Sequence, residues 1–504
     1  MIAIQTRTLV TAVGLFDKLN DQGIRYCAWK STHELDKGLR GGTDVDLLLD
    51  RAEAGKFRQI LQGCDFKPFV SAPQRQYPAV EDYLGFDRQS GAIIHLHVHY
   101  RLIIGDQYTK NYVLPLEQSF LDHTRMKSGV RVPAAELETI ILSLRVLLKY
   151  SDRNVIRDLF RLPGRSGIAQ SFFKEFDELL ALTNLDQIKT AIERDIDFVP
   201  TDLVLNFLKT LKESPRDAWV LFHLRRRVRE LLLPYERMAW VQTELEYHRT
   251  ALIQKLPSKR LRDYLLADRH KKPSAGGLGI AFIGADGAGK STCVKEIIKW
   301  LNWRVNVHKF YMGTTHPSTV TKMVRAILGL GQKVHAGTKR ILGIKNPITR
   351  AANGFENLLT DFSFVAEAHD RYDRYEKGQR KIAQGAVVIY DRYPLKAAMI
   401  DGRPMDGPRI RAKGNPSNKL SANLAQREEN LYRKIRPPDR MVVLRVSPEV
   451  SQARKPEHRR ERIEAKARAL DGLDSSDTKV LMVDAEQPLE QVLLQVKTAI
   501  WSWL

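Results

Sequence analysis

Ala281-Phe282-Ile283-Gly284-Ala285-Asp286-Gly287-Ala288-Gly289-Lys290-Ser291-Thr292-Cys293 decides the fold of the second half of this chain. An apolar run from Leu278 to Ile283 meets Gly284-x4-Gly289-Lys290-Ser291, and the apolar residues that follow, Val294, Ile297, Ile298 and Leu301, recur at helical spacing. The order is strand, glycine-rich turn, helix. Glycines at 284, 287 and 289 let successive backbone N–H groups point inward, and the turn delivers an anion to the positive end of the helix that starts at Lys290. The expectation is a cradle for the phosphates of ATP or GTP, made by Gly284, Asp286, Gly287, Gly289, Lys290, Ser291 and Thr292. Lys290 would bridge the terminal phosphates and the Ser291 hydroxyl would hold Mg²⁺. A turn needed only for packing does not call for the glycines, the lysine and the hydroxyl together.

Working outward, Gly385 to Tyr390 reads as a buried parallel strand ending at Asp391-Arg392-Tyr393. This puts a carboxylate and a guanidinium at the carboxyl edge of the sheet, where open α/β sheets bind ligands. Asp391 is expected to hold the Mg²⁺ through water and Arg392 to contact a phosphate. A further strand, Arg440 to Val446, leads through Ser447-Pro448-Glu449 into a cationic segment with Arg454, Lys455, Arg459, Arg460 and Arg462. Such a segment can close over a nucleotide and neutralise charge on the moving phosphoryl group, with Arg454 and Arg459 as its candidate catalytic cations. Glu457, Glu461 and Glu464 equally allow ordinary helix salt bridges. Val480 to Asp484 is the last strand, and an amphipathic helix closes the chain.

The chain has 504 residues, enough for two or three domains that bury cores without disulfides. Its three cysteines, Cys27, Cys64 and Cys293, have no paired or metal-ligand spacing, as in a reducing cytoplasm. No window offers eighteen uncharged apolar residues and the N-terminus has no signal-peptide pattern, so no membrane span is expected. Net charge is +22, unevenly placed: residues 1–270 carry 40 Lys/Arg against 35 Asp/Glu, and residues 271–504 carry 41 against 24. Residues 301–350 alone hold nine Lys/Arg and no acid, either as a solvated or disordered insertion or as a surface for a polyanion such as nucleic acid, acidic glycan or anionic lipid. Phe, Tyr and Trp for base stacking are absent from 314–350.

The segment 278–504 resembles thymidylate kinase and the wider nucleoside monophosphate kinase family. The resemblance rests on Gly284-Ala285-Asp286-Gly287-Ala288-Gly289-Lys290-Ser291-Thr292, Asp391-Arg392-Tyr393, Pro438-Asp439, Ser447-Pro448-Glu449-Val450 and Val483-Asp484-Ala485-Glu486-Gln487-Pro488. It implies an ATP-dependent kinase that uses Mg²⁺ and passes the γ-phosphate to a nucleoside monophosphate or related acceptor. By the family pattern Arg371 or Arg374, in His369-Asp370-Arg371-Tyr372-Asp373-Arg374, would sit on the acceptor phosphate, together with Arg392. Two departures bear on the substrate. Phe310 to Pro317 has no carboxylate where that family has an acidic loop, and 396–420 replaces the part that usually covers the base.

In the front half, Trp29-Lys30-Ser31 and Gly41-Gly42-Thr43-Asp44-Val45-Asp46 read as a turn entering a strand, with Asp44 and Asp46 on one face. Paired carboxylates so placed can hold two Mg²⁺ at a triphosphate. This resembles the nucleotidyltransferase fold, particularly uncharacterised members with a helical tail, over about 20–165. In Ile93 to Tyr100, on a neighbouring strand, where a third carboxylate is sought, His95, His97 and His99 share one face, and a second metal site of Asp44, Asp46, His95 and His97 is conceivable.

The expected architecture is α/β: a nucleotidyltransferase-like α+β domain over 1–165, a helical module and linker over 166–272, and a P-loop thymidylate kinase-like domain over 273–504 with helices on both faces of a parallel sheet. Helices are expected at about 134–151, 168–192, 203–213, 216–232 and 235–256. The expected partners are a small-molecule phosphate acceptor, a nucleotide first among the candidates, and further copies of the chain, with a polyanion on 301–350 as the alternative to a solvated insertion. Three functions stay open: a phosphotransferase for a nucleotide, sugar or glycan acceptor; a bifunctional kinase and nucleotidyltransferase; and a nucleotide-responsive polyanion-binding protein.

Overall fold

The chain divides into two units, Met1–Lys271 and Lys272–Leu504. A computed structural model describes residues 7–504 except 107, 161–167, 214–216, 259–260, 263–264, 266–269, 401–402, 417, 458–459, 474–476 and 478, with backbone alone at 74, 152–153, 240, 396–397, 403 and 462.

In the first unit, helix α1 (Val10–Asp21) turns Ala12, Leu15, Phe16 and Leu19 inward, the spacing of one helix face. Strands β1 (Tyr26–Ala28) and β2 (Asp44–Leu49) precede helix α2 (Ala54–Gln62), and β3 (Phe66–Val70), β4 (Val80–Phe86) and β5 (Ile93–His99) follow. These strands lie in the order β1-β2-β5-β4-β3, antiparallel except for the β2/β5 pair. Ile94, Leu96 and Val98 enter the core with Leu15 and Phe57, which leaves His95, His97 and His99 on the other face by strand alternation.

Helix α3 (Ala135–Lys149) is buried almost all round because α4 (Gln170–Leu180), α5 (Leu185–Asp195), α6 (Thr201–Lys212) and α7 (Ala218–Leu232) pack on it or on one another. The apolar pattern over 168–192 is therefore two helices rather than one. Asn184 caps α5 by accepting from the Gln187 backbone N–H, while the Gln187 side chain accepts from the Asn184 N–H. That reciprocal cap ends the first helix and starts the second. Helix α8 (Trp240–Gln254) follows.

In the second unit the strands are β6 (Leu278–Gly284), β7 (Val307–Tyr311), β8 (Val387–Asp391), β11 (Arg440–Arg445) and β12 (Val480–Asp484). They form one sheet in the order β7-β8-β6-β11-β12, parallel throughout. β6 and β8 are apolar on both faces, as strands covered from both sides must be. Helix α9 (Lys290–Leu301) packs on β6 and β8 and against α15 (Leu489–Trp503). On the side of Ala281 and Ile283 lie Ala368 and Tyr375 of α11 (Pro347–Ala383), Leu431 of α12 (Lys419–Lys434) and Leu470 of α14 (Arg460–Asp471). A small antiparallel pair, β9 (Leu395–Ile400) with β10 (Arg403–Met405), precedes α12, and the short α13 (Pro448–Arg454) precedes α14.

The basic stretch is not a loose insertion. Helix α10 (Thr319–Leu342), capped by Ser318, packs antiparallel along α11, which Asn346 and Pro347 start. Gly331 lets the helices close: a Cβ there would stand 2.7 Å from Leu359 Cδ1. Among the described residues no helix is long and apolar enough to cross a membrane.

Candidate functional site

The glycine-rich loop connects β6 to α9 at the carboxyl edge of the parallel sheet. Gly289 takes φ 78° at the helix start and Gly287 takes φ 90°, where a side chain would also meet the Ser451 carbonyl at 2.8 Å. Lys290 is the first residue of α9, so its stem turns back over the loop, and its Nζ donates to the carbonyls of Gly284 at 2.8 Å and Ala285 at 2.6 Å. Burial pushes this ammonium down to about 8, against the pull of Asp286.

Asp286 sits in the loop with its carboxylate buried. Lys466 Nζ donates to Oδ2 at 2.7 Å and Arg392 Nη2 lies 3.4 Å from Oδ1. Burial would raise this carboxyl, but the Lys466 hydrogen bond and charge, with Lys290 and Arg392, bring it to about 2. The Ser451 hydroxyl, at the start of the neighbouring helix, donates to the Asp286 carbonyl. Asp391 ends β8 in register with Phe282 of β6 and Tyr311 of β7. Its Oδ2 is 3.2 Å from Lys309 Nζ, and its buried Oδ1 has no hydrogen-bond partner among the described residues. Arg392, next in the chain, takes φ 62°, a left-handed backbone that turns its guanidinium toward the loop.

One cavity touches the loop at Ala285, and a second is lined by Arg392 and Lys466, the cations that hold Asp286. The first, about 600 Å³, is lined by Ala285, Ser447, Glu464, Arg468, Asp484 and Glu486. The other, about 760 Å³, is lined by Thr314, Arg371, Arg392, Arg409, Lys466 and Arg468 among others. Arg468 of α14 reaches both, so this helix is their common wall.

The structure sorts the sequence candidates. Arg371 lines the second cavity, buried, with Nη1 donating to the Tyr432 hydroxyl at 2.6 Å and to the Asp406 carbonyl. Arg374 instead braces the loop after β7 through the carbonyls of Tyr311 at 3.0 Å, Gly313 at 2.8 Å and His316. Arg454 is on α13, not α14, and holds the carbonyls of Ala485 at 3.2 Å and Gly287 at 3.5 Å from the loop's outer edge. Arg459 lies outside the described residues. Lys455 pairs with Glu457 and Arg460 with Glu464, the ordinary salt-bridge pattern. Ser291 and Thr292 are exposed on the first turn of α9.

The sequence reading missed Lys466, the cation nearest the loop's carboxylate. Its signal is position: Ile463, Lys466 and Leu470 recur at helical spacing, and all three are buried. A lysine inside an apolar stripe needs a buried acid. Lys309 and Arg409 were missed too; Arg409 pairs with the buried Glu367 beside the second cavity.

In the first unit, β2 and β5 align Asp44 with His95 and Asp46 with His97. The four residues do not converge as one group. His95 spans Asp44 and Asp82, its Nδ1 and Nε2 each 3.0 Å from a carboxylate. Asp46 Oδ1 is 3.0 Å from His97 Nδ1 and 3.1 Å from His99 Nε2, and Asp46, His97 and His99 bring ligand-type atoms within 4.8 Å of one another. Lys30 stands 3.5 Å from Asp46, and Lys271 stands 3.0 Å from Asp82. Burial would raise Asp46, but Lys30, His97 and His99 hold it well below the usual range. Burial pushes His99 down to about 4. The strand beside β5, β4, brings a further carboxylate, Asp82, to this face.

No family model matches the chain. It is 29% identical over 228 residues to a protein of Escherichia coli (strain K12) described as the uncharacterized ATP-binding protein YghR, a match covering 44% of this chain and 86% of that one. A second E. coli K12 protein, the uncharacterized ATP-binding protein YghS, is 26% identical over 218 residues, 42% of this chain and 88% of its own. A solved deoxyadenosine kinase from M. mycoides with bound dATP aligns with 44% of this chain and 99% of its own at 16% identity and TM-score 0.27.

Proposed function

We propose that the second unit is an ATP-dependent phosphotransferase that moves the γ-phosphate of ATP to a phosphorylated small acceptor of the nucleoside monophosphate class. The observation that carries this reading is the pair of cavities that share α14, one touching the glycine-rich loop at Ala285 and the other lined by Lys466 and Arg392, the two cations paired with the loop's Asp286. A donor with its phosphates in the loop and an acceptor in the second cavity would face one another across Lys466 and Arg392, with the cost of bringing them together met by binding. The names of the E. coli relatives support ATP as the donor.

In this reading the cavity beside Ala285 and Asp484 takes the nucleoside of ATP, and Lys290 bridges its terminal phosphates. Mg²⁺ would be held by Ser291 and Asp391; the buried, unpartnered Oδ1 of Asp391 fits a cation. The bound cation would neutralise polyphosphate charge. Arg371, Arg392, Arg409, Lys466 and Arg468 line the acceptor cavity with Glu461 and Asp406, and Asp286 and Glu367 pair with Lys466, Arg392 and Arg409, which leaves five cations against four carboxylates. This excess of cations suits an acceptor bearing a phosphate better than a neutral sugar. Arg374 and Arg454 position the loops, and Arg392 and Lys466 stabilise charge on the transferring group.

The nucleotidyl-transfer reading of the first unit has Asp44, Asp46 and Asp82 in its favour, but Lys30, Lys271 and the three histidines already compensate those carboxylates. We assign the phosphotransfer to the second unit alone.

The test is ATP consumption by the full chain with Mg²⁺, against nucleoside monophosphates, sugars and sugar phosphates, with Lys290→Ala as blank. Stimulation by monophosphates that disappears in Lys290→Ala is the expected result. Stimulation by neutral sugars only, or turnover no higher than the blank, overturns it.

A further inference from the structure

The hairpin of α10 and α11 carries an apolar surface that the unit's core does not use. On α10, Val320, Met323, Ile327, Leu330, Val334 and Ile341 are between 50% and 80% exposed. Their spacing of three and four puts all six along one line of the helix. The side packed on α11 begins beside this line, at Gly331 against Leu359, and continues further round the helix to Arg325 and His335, which pair with Glu367 and Glu356 of α11. Ile344 and Ile348 at the hairpin tip, and Phe355 further along α11, are also exposed.

The charge beside this stripe has one sign. Residues 319–360 contain seven Lys/Arg against one acid, Glu356, a net of +6. Helical periodicity sets Lys322, Lys333 and Arg340 roughly 100° round α10 from the apolar line, on the side away from α11. His335 is paired with Glu356, and Arg325 is held by Glu367 and the Thr314 carbonyl, so the inner line is fixed within the unit. An apolar line flanked by cations is the pattern of a helix lying in a lipid interface.

We propose that this hairpin docks on an anionic lipid surface, with Leu330, Val334 and their line entering the acyl boundary and Lys333 and Arg340 meeting headgroup phosphates. Charge selects the occupant. A second copy would bring +6 against +6 across an apolar seam, and nucleic acid would leave the α10 line, whose six side chains include no aromatic ring, uncovered.

The experiment is flotation of the full chain with vesicles of phosphatidylcholine mixed with phosphatidylglycerol, and with vesicles of phosphatidylcholine alone. We expect binding to the anionic vesicles that weakens with salt and is much poorer on the neutral ones. Lys333→Gln with Arg340→Gln should weaken binding about thirtyfold, from the loss of two basic residues near the surface. Leu330→Glu with Val334→Glu should abolish it while the circular dichroism spectrum stays unchanged, since both side chains are exposed. Wild-type protein that ignores anionic vesicles, or equal binding by the Leu330→Glu, Val334→Glu chain, overturns the proposal. So does a wild-type dimer in sedimentation that this variant turns into a monomer, which would give the face to a second copy.

Discussion

Replacing Lys466 by Met leaves the Asp286 carboxylate buried in the glycine-rich loop with Arg392, at 3.4 Å, as its nearest remaining cation. The methionine suits its neighbours, because Ile463 and Leu470 flank it on the same buried line. The cost is electrostatic. A carboxyl held at about 2 rather than near 4 contributes about 2.5 kcal/mol to folding. Because this carboxyl is depressed, that contribution is present above about pH 4 and is lost as pH falls toward 2. Removing Lys466 also uncovers the burial penalty that its charge offset, a second part that protonation of Asp286 at pH 7 caps at about 4 kcal/mol, while Lys290 and Arg392 remain to offset much of both parts. The expected destabilisation is therefore about 3 kcal/mol at pH 7, shrinking as pH is lowered toward 4. Hydrogen exchange read by mass spectrometry in peptides covering 278–301 and 460–471 measures it locally, without assuming that both units unfold together. Adding Asp286→Asn should recover at least half of the loss, as removal of both partners does for buried pairs. A Lys466→Met chain whose exchange changes by less than about 0.5 kcal/mol, a typical neutral surface change, would refute the pairing as a support of the loop.

Lys290 at about 8 makes ATP affinity depend on pH: the ammonium must be charged to meet phosphates, so Kd should rise about tenfold from pH 7 to pH 9, measured by calorimetry at constant ionic strength. Asp391→Asn should raise the Mg²⁺ concentration for half-maximal ATP turnover at least about tenfold, while exchange protection of β8 stays near that of the parent chain. Asp44→Asn should leave ATP turnover within about twofold of the parent; a larger loss would tie the first unit to the phosphotransfer.

How much of this was legible depends on distance along the chain. The loop, its helix and the strand ending in Asp391 were readable because each is a local pattern: apolar run, glycine turn, helical spacing. The partner of Asp286 was not, since Lys466 lies 180 residues away among arginines whose pattern points equally to a lid or to helix salt bridges. Arg371 and Arg374 could not be separated by sequence, being three residues apart on one helix face; only the cavity and the loop after β7 assign them different work. In the first unit, alternation put three histidines on one face but could not supply the register that gives His95 to Asp44 and Asp82 and leaves His97 and His99 to Asp46. In the basic stretch the charge shows in composition alone, while the apolar line from Val320 to Ile341 shows only once the helix period is applied.

The two units place carboxylates on strands in ways that differ chemically. Asp44, Asp46 and Asp82 each lie within hydrogen-bonding or ion-pair reach of a histidine, and two of them also face a lysine, so their charge is matched by the protein itself. A cation entering that face would have to displace Lys30 or the histidine contacts of Asp46, giving up bonds already made in a buried setting. Asp391 differs: one oxygen meets Lys309, and the other is buried without a hydrogen-bond partner among the described residues, at the sheet edge beside the loop. Burying an acceptor unpaired costs about 1–3 kcal/mol. A fold carries that cost where a bound group repays it, so the carboxylate with the open oxygen, rather than the paired Asp44 and Asp46, is the one we assign to chemistry.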